Sequence, residues 1–276
     1  EVVEDGLQQG VFVKDDEDVT VAKLEKYGMP DKIVLRPDGT SLYITQDLYL
    51  AYLKNKYNMD KSIYVVGSEQ DLHFKQLFKI LELLELPNAE NYYHLSYGMI
   101  RLPDGKIKSR EGPPPGTGAD DLINQLEEIA TAEVINRFPE LSEKEVTKRA
   151  EIIAISALKF YILLVNPKTT MVFDPKQSIA FTGKTGPYLQ YTHARINSIF
   201  AKAGDKVSAR ADFSLVGTDD EFNLIKILAK FPTVVQDAVD KYDPSQIAVY
   251  LHNLAQQFSL FYESSPILKS DDKTKK

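Results

Sequence analysis

Short apolar runs and one amphipathic stretch dominate the pattern of the first hundred residues. The run "SIYVV" at 62–66 is apolar and β-branched, which predicts a buried strand. The alternating segment "YYHLSYGMIRL" at 92–102 predicts another strand, and the residues at 69–86 predict a helix between the two. The leucines of that helix share roughly one face: Leu72, Leu77, Leu81 and Leu84. The order strand, helix, strand favours a parallel α/β sheet.

A turn signal precedes these elements. The segment "LRPDGTSLYI" at 35–44 predicts a strand, a turn at Asp38-Gly39 and a second strand. Thr45 is then expected to cap a helix over 46–57.

Helical periodicity replaces the mixed pattern after about residue 119. The predicted helices lie at 119–138, 143–165, 185–204, 220–242 and 243–262. Pro232 is expected to kink or split its helix, and Asp243 before Pro244 predicts a helix start. A linker at 202–214 divides the helical part in two. We therefore expect an α/β part at about 1–118, followed by an all-helical part that this linker divides.

The length, charge and cysteine content of the chain exclude several classes of protein. With 276 residues, 43% hydrophobic content and 26% charged content, the chain can form a sizeable core. A net charge of −7 argues against a uniformly basic nucleic-acid binder but allows a local basic stripe. The absence of cysteine excludes disulfides and thiolate metal sites and fits a reducing, cytoplasmic compartment. A run of 18 or more apolar residues is absent, so we expect no membrane-spanning helix.

The segment "YVVGSEQDLHF" at 64–74 carries the first candidate site. In a parallel sheet, ligands bind beyond the carboxyl ends of the strands. Gly67 would allow a ligand to approach the backbone, Gln70 offers donors and an acceptor, and His73 lies within reach of a phosphate. A purely structural alternative stays open, in which Ser68 caps the helix and Asp71 completes a capping box.

Tyr43 and Asp47 form a second candidate pair. They are four residues apart across the predicted strand-to-helix turn, where a carboxylate could bind a guanidinium with both oxygens. The structural alternative is that Asp47 only complements the helix dipole.

The segment "GKIKSREG" at 105–112 is a candidate phosphate-binding loop. Basic residues outnumber acidic ones around it, and Lys106, Lys108 and Ser109 could neutralise charge on a transferring phosphate. It lacks the Walker A pattern, and a solvated basic hairpin is an equally good alternative.

Aromatic and basic side chains are concentrated in "FTGKTGPYLQYTHARI" at 181–196. Tyr188, Tyr191, His193 and Arg195 match the way proteins hold RNA, by stacking on bases and contacting phosphates. Helix packing through Tyr188 is the alternative that accounts for part of the segment.

These segments, in this order, resemble the signature segments of arginyl-tRNA synthetase, a class I aminoacyl-tRNA synthetase. The resemblance covers nearly the whole chain and is most specific at 62–84 and 185–196. It implies a partial Rossmann-like (HUP-type) catalytic domain at 1–118, a helical stem-contact region at 119–205 and an incomplete anticodon-binding domain at 206–276.

The resemblance also implies an activity. Members of the family activate L-arginine with ATP to arginyl-adenylate and transfer it to the 3′ end of tRNA(Arg), typically needing tRNA for the first step. Tyr43, Asp47 and Gln70 match the arginine-pocket positions, and Gly67 and His73 are assigned to ATP. ATP is thus expected as a substrate, with Mg²⁺ bound through its phosphates rather than by a protein metal site.

The segment "KIKSR" at 106–110 resembles the mobile KMSKS loop of class I enzymes. The catalytic candidates are Lys106 and Lys108, with Ile107 and Ser109 as ATP contacts. Ile107 stands in place of Met, and the second lysine is shifted by one position. The following "PPPGTG" is expected to stiffen the loop.

The HIGH motif of class I synthetases is absent from the sequence. We therefore expect a fragment whose N-terminal catalytic half is missing or is supplied by a second chain. Two alternatives stay open: a non-catalytic tRNA-binding or assembly module derived from a synthetase, and a different class I synthetase or nucleotidyltransferase.

Overall fold

The computed structural model describes residues 2–101, 118–204, 212–265 and 267–268. The chain divides into two compact units, Glu1–Met99 and Ile100–Lys276. Within the described ranges, no helix combines the length and the apolar character needed to cross a lipid bilayer.

The first unit combines helices with two small sheets. Its elements are α1 (Val2–Gln8), β1 (Phe12–Lys14), β2 (Thr20–Ala22), β3 (Lys32–Leu35), α2 (Tyr43–Asn55), β4 (Ser62–Gly67), α3 (Asp71–Leu83) and β5 (Tyr92–Tyr97). The strands β1, β2 and β3 form an antiparallel sheet that the sequence pattern did not predict. The strands β4 and β5 pair in parallel, as predicted, from Ser62 opposite Tyr92 to Gly67 opposite Tyr97.

The strand β4 is buried on only one of its faces. Tyr64 is 9% exposed, whereas Ile63 and Val65 are 43% and 63% exposed. The prediction of a buried strand therefore holds for one face only, because side chains alternate between the two faces of a strand and the other face is open.

The predicted hairpin at 35–44 is also wrong in its second half. Arg36 accepts a hydrogen bond from Gly39 in a turn, and Leu35 pairs with Ser41 in a single bridge. The helix α2 then begins at Tyr43, where a strand was expected. Thr45 lies inside its first turn and accepts a hydrogen bond from the Leu42 amide at 3.2 Å.

The helix α3 buries a face shifted from the predicted one. Its buried residues are Phe74, Gln76, Leu77, Ile80 and Leu81, whereas Leu72 is 47% exposed. Leu72 and Leu77 are five positions apart, which is about 140° around a helix of 3.6 residues per turn, so the two cannot share a narrow face. The face of α2 that carries Ile44, Leu48 and Ala51 joins α3 in one core.

The second unit is mainly helical. Its elements are β6 (Ile100–Arg101), α4 (Ala119–Arg137), α5 (Glu143–Leu163), β7 (Met171–Val172), α6 (Pro175–Ser178), α7 (Gly186–Ala203), α8 (Asp219–Ala229), α9 (Phe231–Asp240) and α10 (Ser245–Ser264). The five predicted helical segments are present, and the segment that contains Pro232 is split into α8 and α9 as expected. The predicted strand at 92–102 is divided, because Ile100 and Arg101 pair with β7.

Close contacts between helices organise the core of the second unit. Small residues of α5 pack beside α4 and α6: Ala150, Ala154 and Ala157. The helix α7 starts directly against α5, since a Cβ on Gly186 would lie 2.4 Å from the carbonyl oxygen of Ser156. Asp243 accepts hydrogen bonds from the Ser245 amide and hydroxyl at the predicted start of α10, but the capping position falls on Pro244, one residue later than expected.

Candidate active site

The carboxyl ends of β4 and β5 meet at one edge of the first unit. Gly67, the last residue of β4, lies opposite Tyr97. The backbone of Gly67 has φ −61° and ψ 152°, which any residue adopts, and a Cβ there would meet the Tyr97 ring at 3.7 Å, an ordinary contact. Neither conformation nor packing therefore requires glycine here.

The helix α2 presents Tyr43 and Asp47 on one face. They are one turn apart, while the opposite side of the helix is buried in the core. Tyr43 is 82% exposed, and the Asp47 side chain retains 31% exposure. A phenol and a carboxylate are thus held side by side and open to a ligand.

A contact between helices joins Asp47 to a second predicted residue. The His73 Nε2 atom lies 2.7 Å from Asp47 Oδ2, and the His73 side chain is 16% exposed. The His73 ring stands edge-on to Phe74 at a centroid distance of 5.3 Å. The structure therefore brings together two residues that the resemblance had assigned to different ligands, arginine and ATP.

Gln70 lies exposed just before α3, at the end of a short 3₁₀ turn formed by Ser68–Gln70. Since α3 begins at Asp71, Ser68 lies outside the helix, and the alternative of a capping box from Ser68 to Asp71 is wrong. The Asp71 carboxylate instead accepts a hydrogen bond from the Ser96 hydroxyl at 2.7 Å.

A polar cluster on β5 was missed by sequence reasoning. His94 Nε2 donates to the Val66 carbonyl at 2.9 Å, and His94 Nδ1 lies 3.5 Å from the Asp71 carboxylate. The His94 ring also stacks on Phe74 at 4.3 Å. The available signal was the i, i+2 spacing of His94 and Ser96, which places both on one face of a strand.

The charge of Asp47 acts on its neighbours. Burial raises the pKa of Tyr64 to about 12, with Tyr92 and the Asp47 carboxylate adding to the effect. The Lys54 ammonium lies 3.8 Å from the centre of the Tyr64 ring; burial lowers the pKa of Lys54, and Asp47 opposes that shift. The charge of Asp47 therefore acts on both Tyr64 and Lys54.

In the second unit, the four predicted RNA contacts on α7 divide into two kinds. Tyr188 is half-buried against α10, where its hydroxyl lies 3.2 Å from the Ser259 hydroxyl and 3.5 Å from the Ala255 carbonyl. Helix packing thus explains Tyr188, as the structural alternative proposed.

The other three residues make contacts within α7, and Arg195 also contacts α10. The Arg195 guanidinium lies between the rings of Tyr191 and Tyr262, at 4.6 Å and 4.8 Å from their centres. Arg195 also donates to the Tyr191 hydroxyl at 2.5 Å, and His193 pairs with Asn197 at 3.2 Å. Tyr191 and His193 are exposed, so they are the residues of this set best placed to contact RNA.

The predicted loop residues Lys106, Ile107, Lys108 and Ser109 lie outside the described residues, as does "PPPGT" at 113–117. Their roles stay predictions.

Comparison with known families decides the class of protein. The family model for the catalytic domain of class I tRNA synthetases of the arginine type matches residues 1–174. The model for the DALR anticodon binding domain matches residues 189–276. This chain belongs to the arginyl-tRNA synthetase family. The predicted resemblance is confirmed, and the alternative of a different class I synthetase is wrong.

Individual members of the arginyl-tRNA synthetase family align along almost the whole chain. The arginine–tRNA ligase of Treponema denticola is 43% identical over 274 residues, which cover 97% of this chain and 46% of the relative. The arginine–tRNA ligase of Flavobacterium psychrophilum is 41% identical, covering 100% of this chain and 46% of the relative. The chain therefore spans about half the length of the curated relatives it matches.

Solved synthetase structures confirm the predicted fold class, a partial α/β domain followed by a helical domain. Thermus thermophilus arginyl-tRNA synthetase superposes with a TM-score of 0.83 at 22% identity, covering 99% of this chain and 53% of that chain. The Plasmodium falciparum enzyme gives a TM-score of 0.79 at 19% identity, covering 97% and 46%.

Proposed function

We propose that this chain is part of an arginine–tRNA ligase, which activates L-arginine with ATP and transfers it to tRNA(Arg). The observation that carries the proposal is the exposed pair of Tyr43 and Asp47 on one face of α2, in a chain of this family.

The Asp47 carboxylate binds the guanidinium of the substrate in this proposal. A planar guanidinium matches a carboxylate through two parallel hydrogen bonds, whereas the ammonium of lysine acts as a point charge. Tyr43 and Gln70, both exposed at this end of the first unit, fix the orientation of the substrate. Arginine is thus selected over lysine by geometry as well as charge.

ATP is the second substrate. Gly67 leaves room for it at the strand end. The assignment of His73 to the phosphates rests on the resemblance alone, since its Nε2 atom already contacts Asp47. Lys106 and Lys108 would neutralise charge on the phosphates, with Ile107 and Ser109 beside them. The described residues contain no group of three or more His, Cys, Asp or Glu side chains suited to a metal. In the proposal, Mg²⁺ is bound through the ATP phosphates.

The helical part binds tRNA(Arg) in this proposal. The region 119–205 contacts the stem and 206–276 forms part of the anticodon-binding domain, with Tyr191, His193 and Arg195 in contact with RNA and Tyr188 behind them. The partners and the absence of cysteine together support a cytoplasmic protein.

The exposed face of β4 supports a partner for the first unit. Parallel sheets are normally covered on both faces, yet Ile63 and Val65 are largely exposed. The missing catalytic half, in the same polypeptide or in a second chain, would cover them.

The deciding experiment is arginine-dependent ATP–pyrophosphate exchange with tRNA present. The chain is assayed alone and again with the upstream catalytic half of a relative added as a separate polypeptide. Exchange that requires L-arginine and appears on mixing supports the proposal. If both pieces fold and bind tRNA without any exchange, the chain is a non-catalytic tRNA-binding module instead.

A further inference from the structure

The contact between His73 and Asp47 carries an inference about how the arginine pocket is set. We infer that His73 is a positioning residue that holds the Asp47 carboxylate in the orientation needed for a guanidinium, rather than a ligand of ATP phosphate. The inference rests on the proposed function of Asp47 and adds a residue to its pocket.

The direction of the hydrogen bond supports this role. A carboxylate only accepts, so at 2.7 Å the Nε2 atom of His73 carries the hydrogen. The distance is that of a charge-assisted hydrogen bond. Nε2 is thereby engaged and is not free to donate to a phosphate.

The burial of the two side chains shows that His73 restrains Asp47 rather than the reverse. The His73 side chain is 16% exposed against 31% for Asp47, and its ring is fixed edge-on against Phe74. Phe74 is 5% exposed and belongs to the core that also holds α2. The imidazole is therefore held by the core and restrains the more exposed carboxylate.

The geometry leaves part of the carboxylate for a ligand. His73 contacts Oδ2, and the remaining exposure of Asp47 lies on the α2 face shared with Tyr43. A carboxylate with one oxygen restrained has lost rotational freedom before the substrate arrives. Such preorganisation strengthens binding by lowering the entropy lost on association.

The first test examines the contact in the chain itself. Long-range ¹H–¹⁵N spectra of the imidazole report which nitrogen of His73 is protonated. We expect a hydrogen on Nε2 in the unchanged protein and a shifted Nε2 signal in Asp47→Asn. The inference would be overturned, whatever the enzyme activity is, if Nε2 carried no hydrogen or if its signal were the same in Asp47→Asn as in the unchanged protein.

The second test separates arginine from ATP in the exchange assay. His73→Leu removes the donor, and we expect the KM for arginine to rise on the order of tenfold, as for loss of a hydrogen bond to a charged group. The KM for ATP should stay within about twofold, because the positioned group faces arginine. His73→Gln places an amide donor near the Nε2 position and should restore most of the loss. Thermal denaturation of each variant shows whether the fold is retained.

The outcomes distinguish failure of the proposed role of His73 from failure of the proposed arginine pocket at Asp47. In the Asp47→Asn background, His73→Leu should have no further effect on the KM for arginine, since the two residues act as a unit. If Asp47→Asn abolishes exchange but His73→Leu raises only the KM for ATP, His73 is a phosphate ligand and the inference fails. If Asp47→Asn leaves arginine use unchanged, the proposed pocket itself fails.

Discussion

The candidate arginine pocket and the polar face of α7 are built in different ways. In the first unit, hydrogen bonds join residues far apart in sequence, such as Asp47 with His73 and Asp71 with Ser96. On α7, Arg195 with Tyr191 and His193 with Asn197 are i, i+4 pairs within one helix. The pocket therefore depends on how its elements pack, whereas the surface of α7 depends largely on helical periodicity, although Arg195 also contacts Tyr262 of α10.

Because the pocket depends on contacts between elements, a single substitution there should cause the largest loss of activity. Replacing Asp47 by Asn removes the charge that pairs with the guanidinium and leaves His73 a neutral amide oxygen as acceptor in place of a carboxylate. We expect arginine-dependent exchange to fall about a hundredfold or more, the usual cost of breaking a buried charge pair. Steady-state exchange kinetics over a range of arginine concentrations measure it.

The matched control is Asp16→Asn, an equal change of charge at an exposed position between β1 and β2. It should leave exchange unchanged. Equal losses in the two variants would show that net charge, rather than the pocket, governs the reaction.

A glycine substitution tests where packing is tightest. Gly186→Ala places a methyl group against the Ser156 carbonyl, so α7 must shift on α5. We expect a loss of about 1–3 kcal/mol in the free energy of unfolding, as for other overpacked sites. Urea denaturation of the purified chain measures it.

Gly67→Ala is the control for that experiment in the other unit. Its Cβ meets only the Tyr97 ring at 3.7 Å, so stability should be retained. A loss of stability equal to that of Gly186→Ala would contradict the packing described at Gly67.

Asp243 accepts a hydrogen bond from Asn166 and so connects the start of α10 to the residues after α5. This contact should make the free energy of unfolding depend on pH. Burial alone would raise the pKa of Asp243, but hydrogen bonds from Ser245 and Asn166 hold it below its ordinary value of 3.8. Because the folded pKa is the lower one, this stabilisation is complete above the unfolded pKa and is lost as pH falls through the folded pKa.

Asp243→Asn should therefore cost about 1–2 kcal/mol near neutral pH, the scale of a hydrogen bond to a charged group. It should also flatten the acid side of the stability profile, measured by urea denaturation from pH 7 down to about pH 3. If the stability of Asp243→Asn fell with decreasing pH as steeply as that of the unchanged protein, other carboxylates would be the cause of the loss of stability in acid.

The smallest effects are expected on the surface of α7. Tyr191→Ala and His193→Ala should each weaken tRNA binding severalfold, about 1 kcal/mol for loss of one stacking contact. Thermal stability should barely change, because both side chains are exposed. Binding measured at increasing salt should also weaken steeply as counterions are released.

Tyr188→Ala is the informative contrast on the same helix. Its hydroxyl and ring contact α10, so we expect it to lower thermal stability as well as tRNA binding. If Tyr188→Ala weakened tRNA binding without lowering stability, the packing interpretation of Tyr188 would be wrong.

Much of the secondary structure was predictable from local pattern. The helices of the second unit follow their 3.6-residue periodicity, and Pro232 marked the division between α8 and α9 because it lacks an amide hydrogen. The start of α2 was missed because "SLYI" alternates like a strand, although Tyr43 and Ile44 form the first turn of a helix. A four-residue pattern carries too little periodicity to separate the two.

The sequence by itself determined the family, the helical second unit and the parallel pair of strands, and its prediction of the pocket residues stays a proposal. Only the tertiary structure decided that His73 binds Asp47, that Tyr188 faces α10, and that Ile63 and Val65 are exposed. The physical reason is the distance along the chain over which each kind of interaction acts. Periodicity and capping are set within a turn or two of the chain, whereas the partner of a side chain depends on which distant element the core brings beside it.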